Sequence, residues 1–182
     1  MTDASIDVEP HHDRPARFVR PMERDVSHAP PESVGGIIAL LSAPGAADLD
    51  AVVVALQSLN VTPDILGDAV HADGAQYVRT LLYRDDRAEM LVLTWKPGQR
   101  SPVHDHGEST CIVRVVDGVA TEHLYRRRER GASRREYMSR QLTPGVVTRT
   151  PGDHRHTLGN SAKRGGDVLV TLHVYSPPLK RG

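Results

Sequence analysis

The chain has 182 residues, 23 basic and 23 acidic side chains, a formal net charge of zero and 38% hydrophobic residues. That length suits one compact domain with some tail to spare. Balanced charge lacks the one-sided basic footprint of a nucleic-acid binder, and the single cysteine, Cys111, excludes an internal disulfide.

Residues 1–36 mix Pro, Asp, Glu, His and Arg with hardly any aliphatic run and end in Ala29-Pro30-Pro31 and Gly35-Gly36. Such a segment buries too little apolar surface to offset its ordering entropy, so it reads as a flexible N-terminal tail. It contains no apolar signal region, and no stretch of the chain approaches the ~20 apolar residues of a membrane helix. The expectation is a cytoplasmic protein with neither membrane nor nucleic-acid partner.

Residues 37–182 read as one domain, of which 37–70 is helical. Ile-Ile-Ala-Leu-Leu-Ser at 37–42 is one predicted helix and 48–59 a second, with Leu49, Val52, Val53, Leu56 and Leu59 at three- and four-residue spacing. Residues 63–70 supply another helical turn or two. From 77 to 178 the texture changes to short apolar runs broken by Gly, Pro and Asp. Strands are predicted at 77–83, 89–95, 109–116, 119–125, 136–142, 145–150 and 168–174. Asp117-Gly118 reads as a two-residue hairpin turn with positive φ at both positions. Arg126-Arg127-Arg128 and Arg134-Arg135, diluted by Glu122, Glu129 and Glu136, read as a solvated hairpin. The fold class expected is mainly β: an antiparallel barrel or sandwich with a small N-terminal helical cap.

Ten histidines are many for this length. In His104-Asp105-His106, alternate residues of a strand would project both imidazoles to one face and leave Asp105 outside. Two imidazoles on a rigid strand make a bidentate start to a metal site. His156 is the third candidate. His154, two residues earlier, could share its strand face and compete for the role. His11, His12, His28, His71 and His123 have no partner that the sequence reveals.

The spacing around these residues resembles the two cupin motifs. Gly98, His104, His106, Cys111 and Gly118 follow the first, G-(x)5-H-x-H-(x)3,4-E-(x)6-G. Gly145, Pro151, His156 and Asn160 follow the second, G-(x)5-P-x-G-(x)2-H-(x)3-N, and the Asn160 spacing favours His156 over His154. Cys111 stands where the first motif has a glutamate ligand, with Glu108 out of register. Asp153 stands where the second has glycine, which is displaced to Gly152. The resemblance implies a cupin-type jelly roll, and the missing acid points to a three-histidine site.

A narrower resemblance is to the cysteine dioxygenases. It covers residues 77–178 through Tyr77-Val78-Arg79, Trp95, His104-Asp105-His106, Ser109-Thr110-Cys111, His156-Thr157-Leu158-Gly159-Asn160 and Leu172-His173-Val174-Tyr175-Ser176-Pro177-Pro178. It implies Fe(II) held by His104, His106 and His156, a substrate carboxylate bound by Arg79 with Tyr77 beside it, and Tyr175 near the reacting atoms, oriented by His173 and Thr171. Cys111 and Tyr175 are the partners of the thioether found in a subset of that family. The activity implied is addition of both atoms of O2 to the sulfur of L-cysteine, giving the sulfinic acid. Two alternatives stay open: dioxygenation of another small thiol such as 3-mercaptopropionate, whose enzymes generally carry glutamine in place of Arg79, and a non-redox metal-binding cupin. Thr171, His173 and Tyr175 alternate along one strand and would share its inward face; a mixed polar-aromatic face packed for stability has the same pattern.

Overall fold

A computed structural model describes residues 32–45, 47–73, 75–125, 136–164 and 166–180. The sequence-predicted tail, apart from its last residues, and the arginine cluster at 126–135 lie outside these. Three helices come first: α1 (Val34–Ser42), α2 (Leu49–Ser58) and α3 (Pro63–Leu66), the last running into a 3-10 turn at Gly67–Ala69. Their starts have local causes. Ser33 and Asp48 accept hydrogen bonds from the first free backbone N–H groups of α1 and α2, Thr62 does so for α3, and Pro63 opens α3. Helix α1 begins at Val34, inside the stretch read as tail, because Ser33 caps it and Gly36 and Ile37 are buried.

Eight strands follow: β1 (Val78–Arg84), β2 (Glu89–Trp95), β3 (Thr110–Asp117), β4 (Ala120–Tyr125), β5 (Glu136–Leu142), β6 (Val147–Thr150), β7 (Arg155–Asn160) and β8 (Leu169–Ser176). They form a five-stranded sheet, β1-β2-β8-β3-β6, and a three-stranded sheet, β5-β4-β7, with every pairing antiparallel. The fold is therefore mainly β, two antiparallel sheets with N-terminal helices. Strand β7 has no counterpart among the sequence-predicted strands, since His, Thr, Gly and Asn break its apolar pattern.

Asp117-Gly118 does not close a hairpin. Strands β3 and β4 belong to different sheets, so this pair is the corner where the chain crosses between them. Only Gly118 takes a positive φ, 77°. A Cβ there would lie 2.9 Å from the Val168 carbonyl oxygen, so glycine suits this position, whereas the positive φ expected at Asp117 is not taken.

Strand β2, inside the five-stranded sheet, is buried on both faces, which is why its middle, Met90 to Leu93, reads as a continuous apolar run. The sheet's outer face, with Met90, Val92, Ile112, Val170, Leu172 and Val174, packs against Ile37, Leu41, Val52 and Leu56 of the helices. Each such aliphatic side chain contributes about 1.5–3 kcal/mol by leaving water. Its inner face, with Leu91, Leu93, Trp95, Cys111, Val113 and Tyr175, meets Ala120, Leu142 and Leu158 of the other sheet. Arg114 ties the outer layers together by donating to the Leu56 and Gln57 carbonyls at the end of α2. Among the described residues no single helix is long and apolar enough to cross a membrane.

Candidate metal centre

The histidines His104, His106 and His156 converge at the open end between the sheets, with candidate ligand nitrogens all within 4.8 Å of one another. The two halves of the cluster are stitched by backbone: His104 N–H donates to His156 O at 3.0 Å, and His156 N–H donates to His104 O at 2.9 Å. His106 N–H donates to Gly152 O at 2.8 Å. A Cβ on Gly152 would stand 2.1 Å from the Gly107 carbonyl oxygen, so the displaced motif glycine sits where two loops touch.

His104 and His106 do not share a strand. His104 forms an isolated bridge with His156, and His106 lies in the following loop, before a turn at Gly107-Glu108. Their rings meet at 78° with centroids 4.8 Å apart, with the two backbones held by different partners, His104 by His156 and His106 by Gly152. His154 is exposed and outside the group. Glu108, the acid nearest the expected ligand slot, is exposed and pairs with Lys180 at 2.9 Å.

The donor set fits a transition-metal dication. His104 Nδ1 donates to the Pro102 carbonyl at 2.9 Å and His156 Nδ1 to Glu122 at 2.7 Å, which leaves Nε2 of each as the metal-facing lone pair. The Nε2 atoms of His106 and His156 stand 3.0 Å apart. Burial pushes His104 down to about 4 and His106 to about 3, so both are neutral and able to ligate at physiological pH.

A cavity of about 490 Å³ opens over these rings and is lined by Tyr77, Arg79, Leu93, Trp95, Leu158, His173 and Tyr175 among others. Arg79 reaches it from β1, while Tyr77 stacks on Trp95 with centroids 4.0 Å apart. On β8, Thr171 Oγ1 lies 2.9 Å from His173 Nε2, and His173 Nδ1 lies 3.1 Å from the Tyr175 hydroxyl. The Tyr175 ring stands edge-on to His106 at 5.1 Å. Burial holds His173 well below and Tyr175 well above their ordinary values, so the row is neutral imidazole and un-ionised phenol. Cys111 faces Tyr175 in register across β3 and β8, and burial raises its thiol to about 12.

Three participants were given no role in the site from the sequence. Trp95 Nε1–H donates to Thr171 Oγ1 at 3.0 Å. Glu122, read as part of a solvated hairpin, is 1% exposed and touches His156. Arg140 pairs with the other Glu122 oxygen at 2.6 Å. The signal for Glu122 was its phase: with Ala120 and Leu124 it occupies the inward positions of β4. His123 points away on the opposite phase, its Nδ1 3.0 Å from Glu136.

The family model for "Cysteine dioxygenase type I" matches residues 25–181. The cysteine dioxygenase type 1 of Bos taurus is 27% identical over 123 residues, 61% of this chain and 57% of its own length. That of Homo sapiens is 26% identical over 117 residues, covering 59% and 54%. The chain thus matches a little more than half the length of these curated relatives. A conserved Klebsiella pneumoniae protein described as having a double-stranded beta-helix domain superposes with a TM-score of 0.50 at 18% identity, covering 62% of this chain and 81% of that one. It is a likeness of fold alone. The chain belongs to the cysteine dioxygenase type I family.

Proposed function

We propose that this member of the cysteine dioxygenase type I family is a non-haem Fe(II) enzyme that adds both atoms of O2 to the sulfur of L-cysteine. The observation that carries the reading is that one cavity brings together three imidazoles, the Arg79 guanidinium and the Tyr175 end of a buried relay. His104, His106 and His156 would hold the iron, which when bound supplies the redox chemistry between O2 and a thiolate. Three neutral ligands leave the dication's charge uncompensated and so favour an anionic substrate.

Arg79 would bind the substrate carboxylate through its planar fork, with Tyr77, packed on Trp95, bordering that end. Its positive charge also helps depress His104, His106 and His173, after burial. With Trp95 Nε1–H donating to Thr171, the threonine hydroxyl is available to donate to His173 Nε2. His173 Nδ1–H then donates to the Tyr175 oxygen, which leaves the phenolic proton for the reacting atoms. The sulfur gains two oxygens and becomes a sulfinate, with no other reductant consumed. Cys111 and Tyr175, paired in strand register, would be the partners of the thioether found in part of the family.

The test is anaerobic loading with Fe(II), followed by O2 uptake and product mass with L-cysteine and 3-mercaptopropionate in separate reactions. Gain of two oxygens on cysteine, lost on chelation of the metal, is the expected result. Gain on 3-mercaptopropionate alone would move the substrate. No uptake with either thiol by iron-loaded protein would leave a non-redox cupin.

A further inference from the structure

Among the described residues the three-imidazole group includes no carboxylate, yet a carboxylate stands directly behind one ring. Glu122 Oε1 accepts from His156 Nδ1 at 2.7 Å. Its other oxygen accepts from Arg140 Nε at 2.7 Å and Nη2 at 2.6 Å. The His156 and Glu122 side chains are 3% and 2% exposed, whereas that of Arg140 is 39% exposed. Strand register explains the row. Glu122 lies opposite Arg140 on β5 and opposite Leu158 on β7, and His156 is one step diagonal on the same face. Arg140, Glu122 and His156 therefore cross the inner face of the three-stranded sheet, from its solvent edge to the metal-binding rings.

We propose that Glu122, anchored by Arg140, is the positioning residue of the metal centre. It fixes His156 as the Nδ1–H tautomer, aims Nε2 at the ion and supplies, one hydrogen bond further out, the negative charge that the ligand set lacks. The carboxylate that the first cupin motif usually places on the metal at the slot of Cys111 is here moved behind a histidine on another strand. A buried carboxylate behind an imidazole makes the ring a stronger donor and holds its orientation. The neighbouring ring differs, because His104 Nδ1 donates to the uncharged Pro102 carbonyl. The two-pronged grip of Arg140 keeps Glu122 ionised and immobile without itself reaching the rings. Were the pair only a brace for the sheet edge, its loss would lower stability and leave metal binding alone.

This inference rests on the proposed metal centre but not on the oxidation of a thiol. The experiment uses the full chain and three forms: the native protein, Glu122→Gln and Glu122→Leu. Ring 15N shifts of the metal-free protein report the tautomer of each histidine, Fe(II) and Co(II) affinities come from chelator competition, and thermal unfolding monitors the fold. The native protein is expected to show His156 as Nδ1–H. Glu122→Leu should mix the His156 tautomers, leave His104 unchanged and weaken both metals about 10- to 100-fold. Glu122→Gln, which can still accept a hydrogen bond, should keep the tautomer and lose part of the affinity. An Nε2–H tautomer at His156 in the native protein, or native metal affinity in a folded Glu122→Gln or Glu122→Leu protein, would overturn the proposal. If Glu122→Leu does not fold, the native tautomer and the glutamine form decide. Unchanged tautomer and affinity effects without O2 uptake on thiols would remove the proposed reaction and leave this inference standing.

Discussion

The two sheets contribute to the same cavity under opposite electrostatic regimes. The five-stranded sheet is covered on both faces and brings to the cavity, apart from Arg79, a neutral row: Trp95, Thr171, His173 and Tyr175, linked by hydrogen bonds within the core. The three-stranded sheet ends in β5, whose residues are exposed from Glu136 to Gln141, and it carries an ion pair inward from that edge. Double burial favours groups that satisfy one another without charge, because desolvating an ion there costs several kcal/mol. An open edge lets one partner of a pair remain hydrated while the other goes in. The cavity thus joins a wall that is polar but, apart from Arg79, uncharged to a wall with an anion behind it.

Removing the ring that joins the two regimes should have the largest effect. His156→Ala takes away a candidate ligand and the partner of Glu122 while keeping the backbone pairing with His104, so metal binding should weaken by more than ~100-fold. Chelator competition measures it; near-native affinity would detach His156 from the metal. On the five-stranded side, Tyr175→Phe removes one hydroxyl while leaving the ring against His106. Turnover should fall about 10²-fold at unchanged iron content, which separates the relay from the ligands. A parallel loss of iron would show that the sheets do not divide these tasks.

Gly152→Ala tests the junction itself. The added methyl meets the Gly107 carbonyl, and the loop shift should cost about 1–3 kcal/mol while moving His106. Denaturant unfolding and metal affinity should change together. Arg114→Met acts on the far face of the five-stranded sheet, where two carbonyls at the end of α2 lose their donor. It should cost about 1–3 kcal/mol and leave metal affinity intact.

The smallest effect concerns acid stability. Burial raises Asp85, but donation from the Ala88 and Arg87 backbone, Tyr83 and the Arg87 side chain outweighs it and lowers the carboxyl from 3.8 to about 2. A folded value below the unfolded one stabilises above the unfolded value and is lost as pH falls towards the folded one. Asp85→Asn should therefore flatten the acid limb of the stability curve between 3.8 and about 2, with little change in metal affinity. An unaltered acid limb would remove Asp85 from this role.

Local pattern in the chain determined much of this protein. Helical spacing at Leu49 to Leu59, turn residues between short apolar runs and two ordered motifs gave the mainly β class, the helices and the family. They also gave the positions that the fold brings together, because alternation alone puts Thr171, His173 and Tyr175 on one face. Tertiary structure decided the rest, where the cause lay far away in sequence. Asp117-Gly118 became a corner between sheets because the backbone of β8 passes beside it. His106 is held beside His104 by its backbone bond to Gly152, not through a shared strand. Glu122 looked like a hairpin charge and Arg140 stood out in no motif, since no local rule tells a charge at the surface from one paired inside. Only the register of β4 between β5 and β7 supplies Glu122 with a guanidinium on one side and an imidazole on the other, and that pairing is what makes burying its charge tolerable.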